Sequence, residues 1–204
     1  LSQAFDHRWR PGPPGIHPQA CVEPGAEIGP GARIGAFCHI AAGAVLGENA
    51  WLGSHVTLGE GCTIGPEATL MAGVRIGAEV RIGARFIAHP GAVIGGDGFS
   101  FVTPERSAIE NVRETLGDSK GAKPQAFARI HSLGSVVIGD DVELGANSCI
   151  DRGTIRDTQI GDGCKFDNLA QIGHNVKIGN NCMICAQVGI AGSSVLGNNV
   201  VLGG

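Results

Sequence analysis

One histidine, His174, has the residue type and the position that general acid–base chemistry requires. It lies two residues after Ile172, at a turn where a side chain is predicted to point outward. Histidine is the residue type best suited to general-base chemistry at neutral pH, where it can take a proton from an amine or hydroxyl nucleophile. Asp167 precedes it by seven residues, and this carboxylate is predicted to orient the imidazole and support its charged form.

A glycine is predicted beside His174 because the chain has an internal spacing of 18 residues. Counting 18 forward reaches Gly192, whose amide can donate to the oxyanion of a tetrahedral intermediate. Counting 18 back reaches Arg156, in an irregular stretch. These parts favour acyl transfer from a thioester to an amine or alcohol, for which no serine or cysteine nucleophile is needed. A lone turn histidine is more often an ordinary surface residue, so the spacing alone leaves both interpretations open.

The elements that position this histidine belong to a six-residue repeat. Isoleucine, leucine or valine recurs every sixth residue over 16–94, with Ala88 the one departure, and the repeat resumes over 138–150 and 160–202. Glycine follows the repeated residue in 16 of the 25 units, which predicts turns with positive φ or close backbone approach. A hexapeptide period predicts an all-β, parallel β-helix solenoid with three units in each 18-residue coil and about eight coils.

Two breaks interrupt the repeat. The first is a long insertion loop over about 95–137, whose two early phenylalanines predict a packed loop or short hairpin. The second lies between Ile150 and Ile160, which are ten residues apart. We therefore predict a linker over residues 1–15 and one solenoid domain over 16–204. Because the chain starts at Leu1, we also expect it to be a piece of a longer protein.

Composition excludes several classes of function. The net charge is −4 without a dense basic run, so no nucleic-acid partner is expected. No apolar run has the length of about 20 residues that a transmembrane helix needs. Four cysteines (Cys38, Cys62, Cys164 and Cys182) stand at inward positions of the repeat, which predicts buried thiols in a reducing cytoplasm. Neither a metal nor a cofactor is predicted, and His39, His55 and His131 have no evident carboxylate partner.

Three segments carry a specific resemblance: residues 167–179 (DNLAQIGHNVKIG), 150–153 (IDRG) and 89–99 (HPGAVIGGDGF). Together they resemble one enzyme family, the UDP-3-O-acylglucosamine N-acyltransferases of lipid A (lipopolysaccharide) biosynthesis. The resemblance implies a left-handed β-helix, a homotrimer with active sites between subunits, and a cytoplasmic location. It implies transfer of a 3-hydroxyacyl group from acyl carrier protein to the 2-amino group of the UDP-sugar.

The same resemblance implies roles for the residues already singled out. His174 would be the general base, Asp167 its carboxylate partner and Gly192 the oxyanion amide. The family also has an N-terminal uridine-binding domain, a second active-site histidine and C-terminal helices, none of which this sequence contains. It usually has glycine where Ser100 stands.

Three rival functions remain open. A related hexapeptide enzyme, the UDP-N-acetylglucosamine O-acyltransferase, acts earlier in the same pathway, but the long insertion and the Asp-Arg-Gly motif favour the N-acyltransferase. A zinc enzyme of the γ-carbonic anhydrase type needs histidines that share a metal, and no two histidines are closer than ten residues in sequence. A non-catalytic scaffold predicts that loss of His174 changes no activity.

Overall fold

The protein is described by a computed structural model over residues 12–105 and 125–204. Residues 1–11 of the predicted linker and 106–124 of the predicted insertion lie outside the described residues. The described residues form these strands: β1 (Gly15–Ile16), β2 (Cys21–Val22), β3 (Glu27–Ile28), β4 (Arg33–Ile34), β5 (His39–Ile40), β6 (Val45–Leu46), β7 (Trp51–Leu52), β8 (Thr57–Leu58), β9 (Thr63–Ile64), β10 (Thr69–Leu70), β11 (Arg75–Ile76), β12 (Arg81–Ile82), β13 (Ile87–Ala88), β14 (Val93–Gly96), β15 (Phe101–Val102), β16 (Ala128–Arg129), β17 (Val136–Ile138), β18 (Glu143–Leu144), β19 (Cys149–Asp151), β20 (Thr158–Ile160), β21 (Lys165–Phe166), β22 (Gln171–Ile172), β23 (Lys177–Ile178), β24 (Met183–Ile184), β25 (Gly189–Ile190), β26 (Val195–Leu196) and β27 (Val201–Leu202).

All but two of these strands stack into three parallel sheets that form the sides of a triangular prism. The first sheet has nine strands, in the order β1-β4-β7-β10-β13-β18-β21-β24-β27. The second has eight, β2-β5-β8-β11-β14-β19-β22-β25, and the third has eight, β3-β6-β9-β12-β17-β20-β23-β26. The remaining strands, β15 and β16, pair antiparallel as a hairpin inside the insertion. The predicted left-handed parallel β-helix and its 25 repeat units are confirmed in the described residues.

The pairing register shows how the solenoid accommodates its two breaks. In regular coils each residue pairs with the residue 18 later, as Ile76 does with Ile94. Across the insertion Ile82 pairs with Ile138, 56 residues later, and all three sheets continue with this same offset. At the second break Ile150 pairs with Ile172, 22 residues later, so four extra residues bulge from that coil. Both breaks therefore leave the stacked strands intact and project from the turns.

The core consists of the inward residues that the repeat predicts. The repeated aliphatics are buried in all but the terminal coils, and Cys38, Cys62, Cys164 and Cys182 are buried as predicted. The departure at Ala88 is balanced within its own unit, because Phe86 fills the inward position two residues earlier, which small residues usually hold. Both side chains are fully buried. A large and a small residue have exchanged places, which keeps the packed volume nearly constant.

The glycines that follow the aliphatics are selected by close approach, and the expectation of positive φ at these positions is mostly wrong. A Cβ at Gly29 would lie 2.5 Å from the backbone nitrogen of Glu48 in the next coil, a distance that real side chains do not adopt. Positive φ falls instead three residues after the aliphatic, often on asparagine, as at Asn175 and Asn181. Asparagine tolerates the left-handed region better than other non-glycine residues.

Over the ranges 12–105 and 125–204, nothing helical is long and apolar enough to cross a bilayer.

Candidate active site

One long edge of the prism carries nearly every unusual feature of this chain. At this edge, which we call the insertion edge, the chain passes from the second sheet to the third. The insertion leaves the prism here after β14, and the second break follows β19 at the same edge. His174 follows β22 and Gly192 follows β25, so they lie on the next two turns along the edge. Stacking of the coils thus brings together segments that are far apart in sequence.

His174 and Gly192 are in contact, as their 18-residue spacing predicts. A Cβ added to Gly192 would lie 2.6 Å from Nε2 of His174, so only glycine leaves the imidazole its present position. The backbone is locked there, because the N–H of Ser193 donates to the carbonyl oxygen of His174 at 2.8 Å. Nε2, the ring nitrogen remote from the backbone, therefore faces the glycine turn of the next coil.

The N–H of Gly192 has no acceptor among the residues that the structure describes. At the equivalent place near the other end of the same edge, the N–H of Ala42 donates to Oε2 of Glu23 at 2.9 Å. The position that Glu23 occupies there is taken by Gly173 beside Gly192. Because Gly173 has no side chain, the Gly192 N–H remains open to an external oxygen, as an oxyanion donor must be.

The insertion folds back onto His174. Gly98 is buried, and a Cβ added to it would lie 2.6 Å from the Cβ of His174. The N–H of Gly98 donates to Oγ of Ser132, at the other end of the insertion, at 3.1 Å. Phe99 is 85% exposed and stacks edge-on against Phe101 with ring centroids 5.0 Å apart. The predicted hairpin is present, but its phenylalanines pack on one another at the surface rather than over the core.

Asp151 is a carboxylate whose charge interacts with His174, and the spacing argument did not select it. Partial burial raises the pKa of the Asp151 carboxyl, while a hydrogen bond from Gln171 and the charge of His174 act in the opposite direction. The only sequence signal for it was its place in the Asp-Arg-Gly motif. Arg152 of that motif has a structural role, since its guanidinium donates to the carbonyl oxygens of Gly134 at 2.9 Å and Ala78 at 3.0 Å.

Asp167 lies at a different edge of the prism, between the first and second sheets, where it follows β21. It is exposed, and its Oδ1 accepts a hydrogen bond from the N–H of Asn168 at 2.7 Å. It lines a shallow groove of about 320 Å³ together with Met183 and Cys185. Within one chain, no described contact joins Asp167 to His174.

Arg156 does not lie beside His174 as counting back by 18 predicted. Its side chain is exposed, and its carbonyl oxygen packs against Gly134. The residue that meets the imidazole is Thr154, with Oγ1 3.4 Å from Nδ1 of His174. The prediction fails because the four extra residues of the second break shift the count on this side of the coil.

Two other histidines have carboxylate partners that the sequence did not reveal. Nε2 of His39 lies 2.9 Å from Oε1 of Glu23, and Nε2 of His89 lies 2.9 Å from Oε1 of Glu143. Both pairs link adjacent coils at the surface. In residues 12–105 and 125–204, no group of three or more histidine, cysteine or acidic side chains is arranged to hold a metal ion.

Two hexapeptide-repeat families match parts of the chain. The bacterial transferase hexapeptide (six repeats) matches residues 43–78, 55–85 and 157–192. The hexapeptide repeat of succinyl-transferase matches residues 135–168. Recognisable repeats of these transferases therefore lie on both sides of the insertion.

Among proteins of known name, the chain is similar to UDP-3-O-acylglucosamine N-acyltransferases. That of Ruegeria pomeroyi is 65% identical over 106 residues, which is 52% of this chain and 29% of the relative. That of Paracoccus denitrificans is 56% identical over 109 residues, 53% of this chain and 30% of the relative. The resemblance predicted from the three motifs is confirmed, and the matched stretch spans less than a third of each relative's length.

Solved structures share the fold. The Arabidopsis UDP-N-acetylglucosamine acyltransferase superposes with a TM-score of 0.72 at 24% identity, covering 92% of this chain and 58% of that one. The UDP-N-acetylglucosamine O-acyltransferase of Moraxella catarrhalis gives a TM-score of 0.57 at 26% identity, covering 93% of this chain and 58% of that one. Likeness at this level of identity supports the β-helical architecture rather than a particular substrate.

Proposed function

We propose that this protein is an N-acyltransferase that moves a 3-hydroxyacyl group from acyl carrier protein to the 2-amino group of UDP-3-O-acylglucosamine. The observation that carries the proposal is the contact between the His174 imidazole and the open Gly192 backbone on the insertion edge. The names of relatives at 56–65% identity favour this acceptor. The O-acyltransferases share the fold at a much lower identity, so we keep O-acylation as the competing outcome of the assay.

The proposed reaction uses His174 as general base. Nε2 takes a proton from the neutral amine as the amine nitrogen attacks the thioester carbonyl carbon. The carbonyl oxygen becomes an oxyanion, and the N–H of Gly192 donates to it. When the tetrahedral intermediate collapses, the C–S bond breaks and the carrier thiolate receives the proton from the imidazolium. The products are the amide and the free thiol, and His174 returns to its neutral form.

We propose a homotrimer in which Asp167 acts on a neighbouring subunit's site. His174 and Asp167 lie on different edges of one prism, so a single chain does not pair them. Packing of prisms around a threefold axis can bring the insertion edge of one subunit against the groove of the next. The carboxylate would then orient the imidazole across the interface, as the family resemblance implies for this pair.

The remaining parts of the proposal concern partners and location. Residues 16–204 would form the acyltransferase domain and residues 1–15 a linker. The acidic acyl carrier protein would deliver the donor, and the reaction would belong to lipid A biosynthesis in the cytoplasm. The thiol state of all seven cysteines, four of them buried, agrees with a reducing compartment.

The test is mass-spectrometric detection of product from 3-hydroxyacyl carrier protein, with UDP-3-O-acylglucosamine and UDP-N-acetylglucosamine offered as separate acceptors. The protein is assayed at its full natural length. Loss of about a hundredfold or more is expected for His174→Ala. The control variant His39→Ala, whose histidine pairs with Glu23 near the other end of the prism, is expected to keep its activity. Gly192→Ala is expected to lose activity because its Cβ would displace Nε2, whereas Gly189→Ala meets nothing within 4 Å.

The outcomes separate the candidate functions. Amide product only from the first acceptor supports the proposal, and ester product only from the second supports the O-acyltransferase. Equal product from wild type and a folded His174→Ala variant would remove His174 as the base. No product with either acceptor would leave a scaffold as the better description.

A further inference from the structure

The proton on the His174 imidazole can be placed from the atoms around its Nδ1. Two oxygens face this nitrogen: Oγ1 of Thr154 at 3.4 Å and Oδ1 of Asn175 at 3.3 Å. A neutral imidazole carries its proton on one nitrogen and a lone pair on the other. The tautomer therefore depends on which of these two oxygens can donate to Nδ1 and which can only accept.

The carboxamide of Asn175 is held so that its oxygen, not its nitrogen, faces the imidazole. The backbone N–H of Thr154 donates to Oδ1 of Asn175 at 2.6 Å. Since a backbone N–H can only donate, the side-chain atom that receives it must be the carbonyl oxygen. The backbone of Asn175 is fixed as well, because its φ is 60° and its N–H donates to Oγ1 of Thr158 at 3.0 Å. Oδ1 of Asn175 can then only accept a hydrogen bond from Nδ1.

The hydroxyl of Thr154 has a second neighbour in the insertion. Oγ of Ser100 lies 3.4 Å from Oγ1 of Thr154, and Ser100 is buried. If Thr154 donates its proton to Ser100, its oxygen is free to accept from Nδ1 alongside Asn175. The insertion is thereby linked to the imidazole through one hydroxyl pair, in addition to the packing of Gly98 on the ring.

We propose that Thr154 and Asn175 hold His174 as the tautomer protonated on Nδ1, so that the Nε2 lone pair faces Gly192. Thr154, Asn175 and Ser100 are positioning residues, and this assignment rests on the proposed function of His174 as base. Imidazole in water favours the proton on Nε2, which would leave no lone pair on the Gly192 side. The two oxygens reverse that preference before any substrate binds. Thr154, Asn175 and His174 all lie on the insertion edge of one chain, whereas Asp167 lies on a different edge.

Asp151 does not account for the same arrangement. Its charge interacts with His174, but no hydrogen bond joins the two side chains in the described residues. A carboxylate that interacts with the imidazole through charge alone favours the imidazolium, but it does not determine which ring nitrogen is protonated in the neutral form. The choice of tautomer requires an acceptor within hydrogen-bond distance of one nitrogen, and Asn175 supplies it.

The experiment is long-range ¹⁵N NMR of histidine-labelled protein without substrate, at a pH where the imidazole is neutral. Wild type is expected to show a pyrrole-type Nδ1 and a pyridine-type Nε2 for His174. The double variant Thr154→Val with Asn175→Gly is expected to revert to protonation on Nε2. Glycine is chosen because it accepts the positive φ at position 175. Asn199→Gly, at the same repeat position with φ 59°, is the matched control and keeps the wild-type pattern.

Thr154→Ser retains the hydroxyl and is expected to keep both the wild-type spectrum and the activity. In the transferase assay the double variant is expected to lose about tenfold or more in kcat with little change in KM. A wild-type spectrum with the proton on Nε2, or a double variant that keeps it on Nδ1, would overturn the assignment. The spectrum is read without substrate, so absence of transferase product with the expected tautomers would count against the proposed function alone.

Discussion

Gly98 of the insertion lies directly against the side chain of His174, 76 residues later in the sequence, with space for a hydrogen atom but not for a methyl group. The insertion is therefore part of the wall around the imidazole. A loop whose only role was surface decoration would not need a glycine at this point.

Substitution of Gly98 tests that contact. In Gly98→Ala the new Cβ would meet the Cβ of His174 at 2.6 Å, so the imidazole or the loop must move. If His174 is the base, as proposed, we expect a loss of about tenfold or more in kcat, because small displacements of a catalytic group are costly. Gly96→Ala is the matched control, since its Cβ would meet only Cγ1 of Val93 at 3.9 Å. Equal activity of the two variants would show that the loop does not position His174.

The separation of Asp167 from His174 within one chain predicts complementation between subunits. His174→Ala and Asp167→Asn are each expected to be inactive as pure assemblies. Random mixing in a homotrimer gives about one site in four that combines an intact His174 with an intact Asp167 of the neighbour. Co-expressed subunits should therefore recover about a quarter of the wild-type rate. Complete absence of recovery in mixed trimers, verified by mass spectrometry, would contradict pairing across the interface, and wild-type activity of pure Asp167→Asn would exclude Asp167.

The partly buried carboxyl of Asp151 predicts a stability change with a defined sign. Burial raises its pKa in the folded state, so the native protein binds this proton more tightly than the unfolded chain does. Burial of the charged carboxylate therefore destabilises the folded protein. This effect is absent below the pKa of about 4 in the unfolded chain and develops as the pH rises through the pKa in the folded state. Asp151→Asn should therefore raise the Tm at pH 7 and change it little near pH 4.

Asp141 provides a control of opposite sign for this measurement. A hydrogen bond from Arg85 lowers the pKa of the Asp141 carboxyl. Its stabilisation is present above the unfolded pKa and is lost as pH falls through the folded value. Asp141→Asn should lower the Tm at pH 7, which calorimetry on both variants can establish. The same direction of change for Asp141→Asn and Asp151→Asn at pH 7 would contradict this account.

Because Phe86 and Ala88 have exchanged large and small side chains, substitutions at these two positions are expected to have non-additive effects on the free energy of unfolding. Ala88→Leu alone should cost about 1–3 kcal/mol by overpacking, and Phe86→Ala alone about 3–5 kcal/mol by leaving a cavity. The double variant should be more stable than the sum of the two changes by about 1–3 kcal/mol, because leucine fills the space that phenylalanine leaves. Urea denaturation measures the three free energies of unfolding. Phe86→Ala combined with Ala44→Leu, in a different coil, should be additive.

The sequence alone determined the solenoid, because every unit repeats the same local burial pattern. Alternation of inward and outward side chains within each short strand, with a turn every six residues, requires no knowledge of distant contacts. The contact of His174 with Gly192 was predictable for the same reason, since the coils between them are regular. Ala88 was visible in the sequence as a departure from the repeat. That Phe86 fills the space left by this small residue became evident only from the burial of both side chains in the structure.

Only the tertiary structure decided what surrounds His174 on its other sides. The insertion and the second break do not have the length of a coil, so counting by 18 fails across them and selected Arg156 instead of Thr154. Gly98 reaches His174, and Ser100 reaches Thr154, by a loop path that is set by packing and hydrogen bonds rather than by the repeat period. Asp167 lies close in sequence to His174 but on another edge, because one six-residue unit separates them and each unit carries the chain to the next side of the prism.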